Sequence, residues 1–220
     1  MREPVNPRPY RSPRRAAQAA ATRVAVLRSA HELFAIQGYA ATSVTAIARR
    51  AGVAVDTVYA SVGRKPQLVL ALIDEALAGH ETDAPGGQAT PSIERDYVQQ
   101  VRATPGARAK LEVYAAAIVR RHPQVVPLVV ALRQAAATDA AAGAALTSLA
   151  DRRAANMRLF AADLRATGDL RADLTDDQVA DLVWSTNAPE YYELLASRGF
   201  SPADVERLLL DIWTRVLLAP

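Results

Sequence analysis

Cysteine is absent from this 220-residue chain. Disulfides, thiolate metal sites and a cysteine nucleophile are therefore excluded, and a reducing cytoplasm is the natural compartment. Aromatic residues make up only 5%, while alanine, leucine, arginine and aspartate are abundant, a balance that favours helices. No apolar run approaches the ~18 residues of a membrane span. No apolar segment follows the N-terminal arginines, so a secretory signal is not expected. Nor does any stretch of four to eight residues alternate as a strand between hairpin turns. The chain reads as all-α.

What is present begins with charge. The net charge of +3 is unevenly spread. Residues 1–65 hold 11 Lys and Arg against 3 Asp and Glu, and residues 66–220 hold 15 against 20. A positive N-terminal lobe on an acidic body suits an end that faces DNA and a remainder that phosphates repel.

That lobe contains Ser43-Val-Thr-Ala-Ile-Ala-Arg-Arg-Ala-Gly52-Val-Ala-Val-Asp-Thr-Val-Tyr59. Val44, Ile47 and Ala48 share one helical face, and Gly52 supplies a position where positive φ carries no steric penalty. Val53 turns inward, and Val58 anchors a second helix. This is helix-turn-helix spacing, and its second helix is of the kind that enters a major groove.

Punctuation along the chain sets the remaining expectations. Residues 1–20 form a basic arm, disordered on account of Pro4, Pro7, Pro9 and Pro13. Residues 21–66 form the DNA-binding domain, and residues 67–220 a larger helical domain. A first helix runs from about Thr22 to Gln37 on the stripe Leu27, Ala30, Leu33 and Phe34, capped by a left-handed Gly38. Thr42 or Ser43 caps the second helix. A fourth starts near Lys65-Pro66, and Thr82 to Pro91 reads as a flexible linker. Thr104-Pro105 opens a further helix, which His122-Pro123 interrupts. An alanine-rich helix ends near Gly168. Thr175 with Gln178 matches a capping box, Pro189 kinks the helix that follows, and Ser201-Pro202 starts the last one.

Leu33-Phe34-Ala-Ile-Gln-Gly38-Tyr39, Thr42-Ser43-Val44, Ile47-Ala48, Ala51-Gly52-Val53, Thr57-Val58-Tyr59 and Lys65-x-x-Leu68 come in this order along the chain. Together with the helix that leads into them, about 50 residues in all, these segments resemble the tetracycline-repressor (TetR) family of transcriptional regulators. Two positions depart from the family pattern. Val62 stands where Phe is usual, and Ala54 stands where a capping Ser is common. The resemblance implies a three-helix head that binds double-stranded DNA at a palindromic operator. It also implies a helical body that binds a small-molecule effector and forms a homodimer, with repression as the usual outcome. No cofactor and no metal are implied.

On that reading Tyr59 and Lys65 match positions that grip the DNA backbone. Thr42, Ser43 and Thr45 offer hydroxyls or N–H groups to phosphate or cap the helix. Val55, Asp56 and Thr57 face base edges. The effector pocket is drawn from Tyr114, Ile118, Met157, Phe160, Trp184 and Asn187, each of which is otherwise a core residue. The dimer interface is drawn from Val179, Tyr191, Leu195, Leu208, Ile212, Trp213 and Val216, or else these two helices complete the monomer core.

Two rivals remain: a DNA-binding architectural protein without an effector, and a helical enzyme. The three histidines lie far apart in sequence. His80-Glu81-x-Asp83 sits at a helix end and in the linker, and Asp176-Asp177 suits the first turn of a helix. An enzyme is therefore not expected.

Overall fold

The structure, a computed structural model, describes residues 13–79 and 91–219. Ten α-helices follow one another there: α1 (Pro13–Ala41), α2 (Val44–Ala51), α3 (Val55–Ser61), α4 (Lys65–Ala78), α5 (Asp96–Ala103), α6 (Ala107–Ala136), α7 (Ala140–Arg165), α8 (Asp176–Thr186), α9 (Pro189–Ser197) and α10 (Pro202–Leu217). Among the described residues there is no strand, only one isolated bridge between Leu170 and Leu218. The linker over residues 82–90 and the His80-Glu81-x-Asp83 cluster lie outside the described residues.

α1 starts earlier than its apolar stripe. Residues 13–20, expected in the basic arm, are helical. Pro13 is tolerated in a first turn, and the alanines that follow need no core to favour a helix. Residues 1–12 lie outside the described part. The helix breaks at Gly38, where φ is 77° and ψ is 167°. Positive φ is as expected of a terminating glycine, but the ψ is extended rather than left-handed. Thr42 secures the break by donating its hydroxyl to Gly38 O at 2.7 Å.

Ser43 is the cap of α2 and accepts from the Ala46 N–H. Gly52 closes that helix in the left-handed region, with φ 68° and ψ 31°. Its own N–H reaches back to Ala48 O and Arg49 O, and the Val53 N–H also reaches Ala48 O. The tight turn sets α3 across α2. As Ala54 implies, α3 has no side-chain cap.

Two apolar clusters organise the molecule. One joins the head to the middle of the chain: Leu27, Ile47, Val58 and Leu68 are continuous with Val125, Leu132 and Leu149 of α6 and α7. The other fills the body around Leu111, Tyr114, Phe160, Leu209 and Trp213. α4 bridges them, since it packs on α1 as well as on α6 and α7. At ~1.5 Å per residue its 14 residues span roughly 20 Å.

Proline does not interrupt α6. The helix runs through both Pro123 and Pro127. Both prolines are exposed, while Val119, His122, Val125, Val126 and Val129 around them form a buried stripe. Packing of that stripe against neighbouring helices outweighs the lost N–H bonds. At Pro189 the effect is larger than a kink. α8 ends at Thr186, Asn187 caps it, and Pro189 restarts the chain as α9. Both capping boxes form, Thr175 with Gln178 and Ser201 with Asp204. α5 lies in a stretch to which sequence periodicity assigned nothing.

Candidate nucleic-acid interface and ligand cavity

The exposed side of the head carries Ser43, Thr45, Arg49, Asp56 and Tyr59. Val55 and Thr57 are half-buried beside them, and the fully buried Val58 holds α3 down. Tyr59 is 47% exposed, with its ring free to meet a ligand. Tyr59, Arg64 and Lys65 border one shallow cleft, together with Val44 and Asp139 from the turn before α7. Arg64, the residue before α4, escaped sequence reasoning because it lies outside any amphipathic stripe.

Lys65 is held in place. Its ammonium sits 4.0 Å from the centre of the Tyr39 ring and 3.5 Å from Ala40 O. Partial burial lowers its pKa, and Asp139 opposes that shift. Thr42 belongs elsewhere. It is 1% exposed, its hydroxyl donates to Gly38 O, and its N–H donates to Tyr39 O. With both donors committed inside, Thr42 is a structural residue and not a phosphate contact.

Behind the head, the body encloses a cavity of about 400 Å³ between α4, α5, α6 and α7. This lies within the ~300–1,000 Å³ typical of small-molecule sites. Five of the six expected residues line it: Tyr114, Ile118, Met157, Phe160 and Asn187. Trp184 does not. One position past the inward Val183, its indole stacks on the Arg153 guanidinium instead, 5.3 Å away. Much of the wall is apolar, with Ile73 and Leu77 of α4 and Val129 of α6 contributing.

Polar groups cluster within this wall. Asn187 donates from Nδ2 to the Tyr114 hydroxyl at 2.5 Å and accepts from Arg153 at 2.7 Å. Arg153 also donates to Trp184 O. The Tyr114 hydroxyl donates to the Met157 sulfur at 3.5 Å. His122 Nε2 pairs with the Asn187 carbonyl at 3.3 Å, so that nitrogen carries the proton. Burial pushes the His122 pKa down to about 4, which keeps the ring neutral. Burial raises the Tyr114 pKa despite Arg153 and Arg95, which both act to lower it.

Arg95 stands just before α5 and is 6% exposed. It pairs with Asp74 of α4 at 3.1 Å. Arg152 of α7 holds the same carboxylate at 3.1 Å. An ion-pair triad, buried at Asp74 and Arg95, thus ties α4 to the cavity wall. Neither arginine carries an apolar-period signal, so sequence reading leaves both among the solvated charges.

The expected dimer residues divide. Val179 and Trp213 are wholly buried, and Leu195 is buried with them in the body core. Trp213 also donates its indole N–H to Thr186 at 2.7 Å. These three complete the monomer and are not available to a partner. On α10, Val205, Leu209, Trp213 and Leu217 turn inward. One step round the helix, Leu208 and Ile212 are half-buried and Val216 is exposed. On α9, Tyr191 is half-buried and Leu194 is 60% exposed.

Among the described residues, no group of three His, Asp or Glu side chains can hold a metal ion. No helix among them is long and apolar enough to cross a membrane.

Residues 26–72 match the family described as bacterial regulatory proteins, tetR family. No curated protein matches the chain. Solved structures do. A putative TetR-family transcriptional regulator from Rhodococcus sp. is 19% identical, with a TM-score of 0.65 over 90% of this chain and 98% of that one. A putative transcriptional regulator from Saccharomonospora viridis, in complex with choline, is 15% identical, with a TM-score of 0.62 over 90% and 98%. The regulator FadR from Bacillus subtilis, in complex with stearoyl-CoA, is 16% identical, with a TM-score of 0.61 over 86% and 96%. At these identities the likeness is one of fold.

Proposed function

We infer that this chain, a TetR-family protein through its residues 26–72, is a sequence-specific DNA-binding transcriptional regulator whose grip on DNA is set by a small molecule. One observation carries the reading. Tyr59, Arg64 and Lys65 meet at the edge of an exposed α2–α3 pair, and α4, which starts at Lys65, runs back to the cavity wall at Ile73 and Leu77.

In this reading Lys65 and Tyr59 contact phosphates and set the register. Ser43 and Thr45 add hydroxyls at the start of α2. Val55, Asp56 and Thr57 face the bases, with the valine and threonine methyls suited to thymine and Asp56 to a cytosine amine. Two copies pair through the half-covered faces of α9 and α10, using Tyr191, Leu194, Leu208, Ile212 and Val216. Their recognition helices then fall on successive major grooves of a near-palindromic site, ~34–36 Å apart or somewhat more.

A ligand in the cavity displaces α4 and changes that separation. A coupling of ~1–3 kcal/mol is sufficient to change DNA affinity 5–150-fold. The fold's neighbours include one complexed with choline and another with stearoyl-CoA, which supports an occupied body without deciding the ligand. Repression relieved by the ligand is the outcome we propose, in the cytoplasm and without catalysis.

Selection of bound duplexes from random DNA tests this reading. A short symmetric motif is the expected result. Uniform retention without a motif would overturn it in favour of an architectural role.

A further inference from the structure

The chemistry of the cavity goes further than its existence, and it rests on the reading of that cavity as the effector site. A buried polar group without a full set of partners is costly, so incompletely satisfied donors lining a largely apolar cavity point to what they receive. Three polar side chains of the lining are incompletely satisfied, to different degrees. Arg95 lines the wall, and its Nε, buried away from that space, has no hydrogen-bond partner. Arg153 bonds only to a backbone carbonyl and an amide oxygen, and among the described residues no carboxylate lies within ion-pair distance of it. The Tyr114 hydroxyl has, as its acceptor in the chain, the Met157 thioether at 3.5 Å, a weak one.

Charge points the same way. Asp74 is shared between Arg95 and Arg152, which leaves that triad with one excess positive charge. Asp163, the acidic residue of the lining, is already held by Lys110 at 2.9 Å. His122 is neutral and contributes no charge. Arg95, Arg153 and Tyr114 line the same space, and Glu190 acts on Arg153 only beyond ion-pair distance. Opposite chemistry covers the remainder: Ile73, Leu77, Ile118, Val129 and Phe160.

We propose that the cavity takes an amphipathic carboxylate, with its acid group on Arg95, Arg153 and the Tyr114 hydroxyl and its apolar body along Ile73, Leu77 and Phe160. The guanidiniums supply charge-assisted hydrogen bonds that an alcohol receives only weakly and a cation not at all. Because Arg95 also holds Asp74 of α4, the incoming acid competes for the group that fastens α4 to the wall. Occupancy is thereby transmitted toward Lys65.

Calorimetric titration of the full-length protein tests the ligand class. The probes are straight-chain carboxylates of 6 to 16 carbons with phenylacetate, each set beside the matching alcohol and trimethylammonium compound. The expected result is saturable binding of at least one carboxylate, about ten- to a hundredfold tighter than its alcohol, with no binding of the cation. In Arg153→Gln the carboxylate should fall to the alcohol's affinity while the alcohol's own affinity holds. Tyr114→Phe, the milder variant, should narrow the same ratio in a chain that keeps its far-UV circular dichroism. Equal or tighter binding of alcohol or cation, loss of both ligands alike in the variants, or no saturable binding by any carboxylate would overturn the proposal. Carboxylate binding that leaves DNA affinity unchanged would uphold this ligand class and overturn the effector reading. A neutral or cationic compound that releases DNA would do the reverse.

Discussion

Replacing Asp74 with asparagine removes the carboxylate that two guanidiniums share while preserving the shape of the side chain. The two arginines respond differently. The Arg95 side chain is 7% exposed and the Arg152 side chain 44%. Arg152 can turn to water, and its half of the triad is worth ~0–1 kcal/mol. Arg95 cannot. Breaking a buried pair by removing one partner costs ~3–5 kcal/mol, because the remaining charge is left uncompensated. At ~2–4 °C per kcal/mol for a chain of this size, Tm should drop by roughly 6–20 °C. Arg152→Ala should lower it by no more than ~4 °C. The double variant Asp74→Leu/Arg95→Met removes both buried charges. It should return to within ~2 kcal/mol of the parent, since apolar replacement of a buried pair is often neutral or stabilising. Thermal and urea unfolding followed by far-UV circular dichroism give Tm and free energy for the parent, for these variants and for Asp74→Leu and Arg95→Met singly. An Asp74→Asn cost no larger than that of Arg152→Ala, or a double variant that loses the sum of its singles, would refute this assignment.

Three further outcomes follow from other parts of the molecule. His122 has a folded pKa of about 4 against ~6.5 when unfolded, so the unfolded chain takes up its proton first. Its contribution is complete above ~pH 6.5 and is lost as pH falls toward 4, roughly 3 kcal/mol in all; urea midpoints at pH 7 and 4.5 should differ less in His122→Gln than in the parent. Lys65→Ala should weaken binding evenly across DNA sequences and, with one lysine lost from each copy of the dimer, reduce the slope of log K against log salt by about 2, as gel shift on two unrelated duplexes would show. Val216→Asp, on the exposed side of α10, should yield a folded monomer by sedimentation, whereas Trp213→Ala, on the buried side, should cost ~3–5 kcal/mol of stability.

The sequence is legible where local chemistry decides the outcome. Gly52 forces a turn that few other residues adopt, and Ser43, Thr175 and Ser201 cap the helices they precede, because caps act over three or four residues. Pro123 was misleading because the packing of α6 against other helices, which no local pattern records, carries the helix through it. Thr42 was misread for a related reason. A hydroxyl beside a helix start resembles a cap, and only the break at Gly38 shows where it goes. Periodicity found the apolar wall of the cavity in Tyr114, Ile118, Met157 and Phe160 but missed Arg95 and Arg153. Charged residues break the stripe, and their burial depends on Asp74 and Asn187, which lie 21 and 34 positions away. For α10, periodicity located the apolar face, but only packing separates Trp213, turned inward, from Val216, left outside.

The salt dependence of binding to a selected symmetric duplex tests the central claim most directly. A dimer that neutralises ~6–10 phosphates should lose ~10³–10⁵ in affinity between 50 and 200 mM salt. An affinity that barely changes over that range would contradict the assignment of Tyr59, Arg64 and Lys65 to a DNA-facing surface, and with it the account of this chain as a DNA-binding regulator.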